Sequence, residues 1–163
     1  MTPMVDAFWR FVYRLGYPCA QVVWRHMKKP GHGASVAVWH DGRLLCIRES
    51  YRSGLALPGG GGLADESRAE TARRELFEEV GIALPPEAFR ARGLLTYDND
   101  GRTIEDSLFE VVLDEPRQPS VDRREVVWAD FLAVEAIRAE RMQRGLRLYL
   151  SRIDGEHATV TRP

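Results

Sequence analysis

The stretch at residues 59–82 constrains the fold more than any other part of the chain, because it carries start, stop and facing signals for one helix. Ser67-Arg68-Ala69-Glu70 reads as a capping box, in which the Ser67 hydroxyl and the Glu70 carboxylate each satisfy an orphan backbone N–H. A helix is therefore predicted to begin near Arg68. Gly81 supplies the residue that tolerates a left-handed backbone and ends the helix, and Ile82 is placed for the hydrophobic contact that accompanies such an ending. About three turns result. Ala69, Ala72, Leu76 and Val80 recur at intervals of three and four, which predicts an apolar stripe docked on a core, with the carboxylate face turned outward. Ahead of the helix, Leu57-Pro58 and the glycines Gly59, Gly60, Gly61 and Gly62 predict a loop whose backbone lies close to a ligand, where a side chain would obstruct.

Glu75, Glu78 and Glu79 share one helix face and can converge on a single point. Each like-charged pair costs an isolated helix roughly 0.2–0.5 kcal/mol, so their retention together points to a cation. Hard cations such as Mg2+ or Mn2+ prefer oxygen ligands and are commonly held by a few carboxylates plus substrate phosphates. The predicted substrate is therefore a phosphate ester or anhydride. Arg74, planar and permanently charged, is suited to hold one of these carboxylates in a fixed orientation. A solvated acidic helix face screened by Arg68, Arg73 and Arg74 would explain the glutamates alone. It does not explain Gly60, Glu66, Arg74, Glu75, Leu76, Glu78, Glu79, Gly81 and Ile82 at these spacings.

That full set resembles the signature of the Nudix hydrolase family, and every defining position is matched. The resemblance implies an α/β/α sandwich with a mixed β-sheet, dependence on Mg2+ or Mn2+, and pyrophosphohydrolase action on a nucleoside diphosphate linked to another group. Carried over by position, Glu75, Glu78 and Glu79 are the implied metal ligands, the Gly59 carbonyl a further one, and Glu66 an acidic group beside them. Many members also carry a glutamate and a glycine where this chain has Leu63 and Asp65, which leaves metal number and loop shape open.

The implied mechanism is attack of metal-activated water on one phosphorus of a diphosphate bridge, with the cations neutralising phosphate oxygens. Glu78 or Glu79 is the expected general base, with Arg74 supporting the site. The resemblance also allows the base to come from a loop before the last helix, where Asp122 and Glu125 lie, although solvated loop charges are the first expectation there. Arg48 is the candidate phosphate contact, against the alternative of an exposed salt bridge, and Trp39, Tyr51 or Tyr97 are candidates to stack on a base. Two rivals share the scaffold. A non-catalytic nucleotide-binding regulatory module would usually lack one of the box carboxylates, and an allylic diphosphate isomerase would need a catalytic cysteine, for which Cys46 is the only candidate within the domain.

The 163 residues suit one domain with a proper core. A net charge of −1 argues against an extended nucleic-acid footprint, and the resemblance implies a nucleotide-type small molecule as the partner. Cys19 and Cys46 have neither metal-site spacing nor the density of a disulfide scaffold, and no secretory or membrane-spanning run is present, so a cytoplasmic location is expected.

Residues 35–40 and 43–48 are predicted strands joined at Asp41-Gly42, followed after the helix by strands at 89–97, 103–113 and 126–129. From Phe131 a helix is predicted, with Val134, Ile137, Met142, Leu146 and Leu150 on one face, and 114–120 reads as a loop. The expected organisation is an amphipathic helical extension at residues 1–30, a hydrolase domain at 31–153 and a tail at 154–163. Phe8, Phe11, Val12 and Leu15 form the apolar face of that extension, beside Arg10, Arg14, Arg25, Lys28 and Lys29. Packing on the domain or on a second subunit, as a homodimer, is its first expected use, ahead of membrane-surface attachment and a contribution to the pocket.

Overall fold

The computed structural model describes residue 12, residues 31–99 and residues 102–160. The expectations for residues 1–30, Val12 aside, lie outside these, as does the tip of the turn at residues 100 and 101. Continuous apolar runs, Val36 to Trp39 and Leu44 to Ile47, build β1 (Gly31–His40) and β2 (Arg43–Glu49), joined through Asp41 at φ 47° and Gly42 at φ 70°. Both angles are those of the tight turn whose twist matches a hairpin. Then follow β3 (Gly59–Gly61), α1 (Arg68–Val80), a 3-10 turn (Pro86–Ala88), β4 (Arg90–Asn99), β5 (Arg102–Val112), β6 (Val126–Ala133), α2 (Val134–Arg138) and α3 (Arg144–Val160).

The strands form one sheet in the order β4-β5-β1-β2-β6, with β3 paired to β1. β1 and β5 run parallel and the other pairs antiparallel, so the sheet is mixed. β1 pairs with β2 only near the turn, at Trp39 and His40, and its Gly33–Ser35 stretch pairs instead with β3. The two hairpin strands thus part and admit the glycine segment between them.

Side chains alternate across a strand, and β2 shows the consequence. Leu45 and Ile47 pack with Ala72, Leu76 and Val80 of α1, whereas Leu44 and Cys46 pack with Ile137 of α2 and Leu146, Tyr149 and Leu150 of α3. Helices cover both sheet faces, giving the expected α/β/α sandwich. Burying a side chain such as Leu76, fully enclosed here, is worth roughly 1.5–3 kcal/mol.

The predicted final helix is corrected. Phe131 belongs to β6, which pairs with β2 from Val126 to Ala133, because each residue opposite the β2 edge gains ladder hydrogen bonds that a helix would forfeit. Helix α2 stops at Arg138, Met142 sits in an isolated bridge with Leu55, and α3 starts at Arg144. It then runs on to Val160, through the segment expected as a tail. Among the described residues, no helix is long and apolar enough to cross a membrane.

Candidate active site

The capping box forms as the sequence predicts. Glu70 N donates to Ser67 Oγ at 3.3 Å, Ser67 N donates to Glu70 Oε2 at 2.8 Å, and Gly81 ends the helix at φ 69° with its N–H bonded to the Phe77 carbonyl. Thus anchored, α1 lies against β3, and the glycine segment is a short strand rather than the predicted loop. A Cβ on Gly60 would stand 2.6 Å from the Glu75 carboxylate, so only glycine lets the strand and this side chain share the space.

The carboxylate face is not wholly turned outward. Glu78 is exposed, but Glu79 is buried and its Oε2 accepts a 2.8 Å hydrogen bond from Gly59 N. The signal was present in the spacing, since Glu79 follows Leu76 by three residues and Glu75 follows Ala72 by three, at the margin of the apolar stripe. Arg74 ties the group together. Its Nε donates to Glu66 Oε1 at 2.7 Å and its Nη1 to Glu75 Oε1 at 2.7 Å and Glu78 Oε2 at 3.0 Å. Its Nη2 donates to the Gly61 carbonyl at 2.9 Å and to Glu66 Oε2 at 3.1 Å. These bonds hold the Glu66 carboxyl down at about 2. Burial instead raises Glu75, with Arg74 opposing. Glu79 is raised well above the usual carboxylate range, chiefly by burial, with the Gly59 N–H opposing and the charges of Glu49, Glu75 and Glu125 adding to the rise.

Two of those neighbours come from distant parts of the chain. Glu49 ends β2, and Glu125 precedes β6. Tyr51 Oη bridges the two, sharing its one proton between Glu49 Oε1 at 3.1 Å and Glu125 Oε1 at 3.0 Å, and Gln143 Nε2 donates to Glu49 Oε2 at 2.7 Å. Burial raises Glu125 also, with Tyr51 opposing and Glu49, Asp122 and Glu78 adding to the rise. The expectation of a solvated charge at Glu125 is therefore corrected, while Asp122 is exposed and accepts from the Arg124 backbone N–H. Glu49 escaped the sequence reading, because its place beside the box depends on β2 pairing with β6 and carries no spacing signal.

Arg48 does not join this group. It pairs with Glu140 and stacks over Trp128 at 5.3 Å, on the sheet face of α2 and α3. Trp39 donates to Tyr149 Oη at 2.6 Å within the core, which removes it as a base platform. Cys46 is fully buried among the α3-side residues, and burial pushes its thiol up to about 12. A thiol in that state is no nucleophile or acid for an isomerase.

The donor set around α1 is all oxygen, the kind that hard cations take, and the crowded negative charge around buried Glu79 is what a cation would relieve. Among the described residues no three acidic, His or Cys side chains form a ready-made cage; Arg74 draws Glu66, Glu75 and Glu78 to itself. A site that completes its shell with water and substrate phosphate needs no such cage.

A family model described as NUDIX domain matches residues 29–152. No curated protein matches the chain. Among solved structures, a MutT protein from Methanosarcina mazei Go1 is similar at 21% identity over 80% of this chain and 98% of that one, with a TM-score of 0.69. A bifunctional NMN adenylyltransferase/ADP ribose pyrophosphatase from Francisella tularensis, complexed with AMP and a Mn ion, is 21% identical over 89% of this chain and 48% of that one, at a TM-score of 0.68. A C. elegans Ap4A hydrolase binary complex is 17% identical over 79% of this chain and 98% of that one, at 0.65. At such identities these structures establish a shared α/β/α fold. With most of its length matched by the family model, the chain belongs to the NUDIX family, whose enzymes are pyrophosphohydrolases that generally require divalent metals.

Proposed function

We propose that this chain hydrolyses a diphosphate linkage in a nucleoside diphosphate joined to another moiety, a nucleotide or nucleotide sugar being the expected type. The observation that carries the reading is the Arg74 hub, which gathers Glu66, Glu75, Glu78 and the Gly61 carbonyl while the Gly59 N–H holds Glu79 beside them. Glu75, Glu78, Glu79 and the Gly59 carbonyl would hold Mg2+ or Mn2+, which when bound neutralises phosphate oxygens and acidifies water. The chain's own residues do the positioning. Arg74 fixes the carboxylates through a fork that a flexible cation cannot reproduce. Gly59 and Gly60 let the strand close against Ser35 and Glu75, and Gly61, where a Cβ would meet nothing within 4 Å, leaves the strand bare for a diphosphate to lie against its backbone.

For the proton taken from water, Glu78 and Glu79 remain the first assignment, and Glu125 is a second. Glu125 is half-buried, faces the same charges and has a carboxyl raised by burial, the direction that strengthens a base.

The test is phosphate release from nucleoside triphosphates, nucleotide sugars, dinucleoside polyphosphates and coenzymes, with Mg2+ and with Mn2+, beside Glu79→Gln. Metal-dependent turnover of one class, abolished by Glu79→Gln, is expected. No turnover across the panel, with nucleotide binding retained, would move the weight to a regulatory module. If Glu78→Gln stays within about threefold of the parent, the ligand role given to Glu78 is wrong.

A further inference from the structure

Beside the acidic centre lies a cleft of about 460 Å³, walled by residues 51–53, Tyr97, Asp98, residues 141–145 and Arg147. Sites for small molecules commonly run to roughly 300–1,000 Å³, so it admits a nucleotide-sized group. The cleft and the acidic centre share a wall, Glu49, which accepts from Tyr51 and Gln143 and pairs with Arg52 at 3.9 Å, all three being cleft residues. Their charges are opposed. Across that wall stand Glu75, Glu78, Glu79 and Glu125, whereas the cleft presents Arg52, Arg141, Arg144 and Arg147 against the single carboxylate of Asp98. In a chain whose net charge is −1, this is a local concentration of guanidinium groups.

The basic wall is held in place by the backbone. Leu55 N donates to the Arg141 carbonyl and Gln143 N to the Leu55 carbonyl, both at 2.8 Å. Next to Gly145, Tyr97 is fixed by its hydrogen bond to buried Asp106. Arg144 pairs with Asp98 and Arg147 donates to the Met142 carbonyl at 3.0 Å, while Arg141, exposed, has no ion pair among the described residues. Guanidinium groups match phosphate oxygens with paired N–H donors. The scissile diphosphate belongs at the acidic centre, so these arginines face a different part of the substrate.

We propose that the cleft is the subsite for the nucleoside end of the substrate, beyond the scissile diphosphate, and that it selects a nucleoside carrying its own phosphate ester. The inference rests on the hydrolase reading for the position of the scissile bond. Its substrate class is a nucleoside diphosphate conjugate with a second, separate phosphate.

The experiment compares matched pairs that differ by one phosphate ester, coenzyme A against dephospho-coenzyme A and NADPH against NADH, for the parent and for Arg141→Gln/Arg144→Gln. Binding of adenosine 3′,5′-bisphosphate against AMP, measured calorimetrically in EDTA, runs alongside. The parent is expected to favour the phosphorylated member by roughly tenfold in kcat/KM in at least one pair and in Kd, and the double variant to bring these ratios within about twofold. Equal ratios in the parent, or a preference that survives in the double variant, would overturn the assignment. A bisphosphate preference in EDTA that the double variant loses, with no turnover of any substrate, would keep the cleft and sink the hydrolase reading instead.

Discussion

Arg74 contacts four carboxylate oxygens and one carbonyl through three nitrogens, a geometry available only to a planar fork. Lysine would keep the charge and lose the simultaneous contacts. Arg74→Lys is therefore expected to lower kcat by on the order of tenfold or more, with little change in secondary structure by circular dichroism; an unchanged kcat would remove Arg74 from the machinery. Asp106 offers a separate test. It is buried, accepts from Ser35 Oγ at 2.6 Å, and burial raises it from 3.8 to about 6, with Ser35, Tyr97 and Arg68 opposing. An acid raised in the folded state contributes stability that is complete below the unfolded value and lost as pH rises through the folded one. Over pH values from about 4 to 6 the parent should lose on the order of 2–3 kcal/mol from this group. Asp106→Asn should escape that loss, so its stability relative to the parent, from urea unfolding, should rise by this amount between pH 4 and pH 7. A flat difference would mean that Asp106 is not strained by its charge. Among these residues the box was legible because its partners are near in sequence, whereas Glu49 and Glu125 meet only through the β2–β6 pairing and Gln143 joins them through the bond of its backbone to Leu55.

Elements with signals at both ends were the ones the sequence specified. Helix α1 has its capping box and its Gly81, and both define its bounds in the structure. Ser67→Ala removes the side-chain half of that box and should cost about 1 kcal/mol, read from chemical denaturation; a loss below a few tenths would show that tertiary packing alone holds the helix start. The β1–β2 hairpin was legible through Asp41-Gly42 for the same reason, a local turn matching a local pattern. The stretch after β6 was not. Val134, Ile137, Met142, Leu146 and Leu150 do share the α3-side core, all facing one way, but they do so from two helices and a bridge. Apolar spacing reports which side chains are buried and is blind to a break where the backbone finds partners elsewhere, as at Leu55. The glycine segment departs from the loop prediction for a related reason, since four glycines signal freedom, and the free edge of β1 turns three of them into a strand.

At the scale of the molecule, the sandwich has two helical layers that never contact the ligand region in the same way. The α1 layer supplies the carboxylates, the α2–α3 layer supplies the basic cleft, and the sheet between them carries Glu49 at the junction. Their mutual placement depends on the clasp between the loop at 51–55 and residues 141–143, where Gly54 is the weak point. Gly54 sits at φ 100°, and a Cβ there would lie 2.8 Å from the Arg141 carbonyl oxygen, so alanine meets both an unfavourable backbone and a backbone atom that cannot swing aside. Gly54→Ala should cost on the order of 2 kcal/mol. The effect should also be directional: hydrogen exchange should quicken at the Leu55 and Gln143 amides, which form the clasp, while the Thr71 and Gly81 amides at the ends of α1 keep their protection relative to global unfolding. Equal acceleration at all four amides would mean that the two layers open as one unit. Selective acceleration would mean that the cleft can shift against a carboxylate centre that stays folded, which is the arrangement a catalyst needs to vary what it binds while holding fixed what it cleaves.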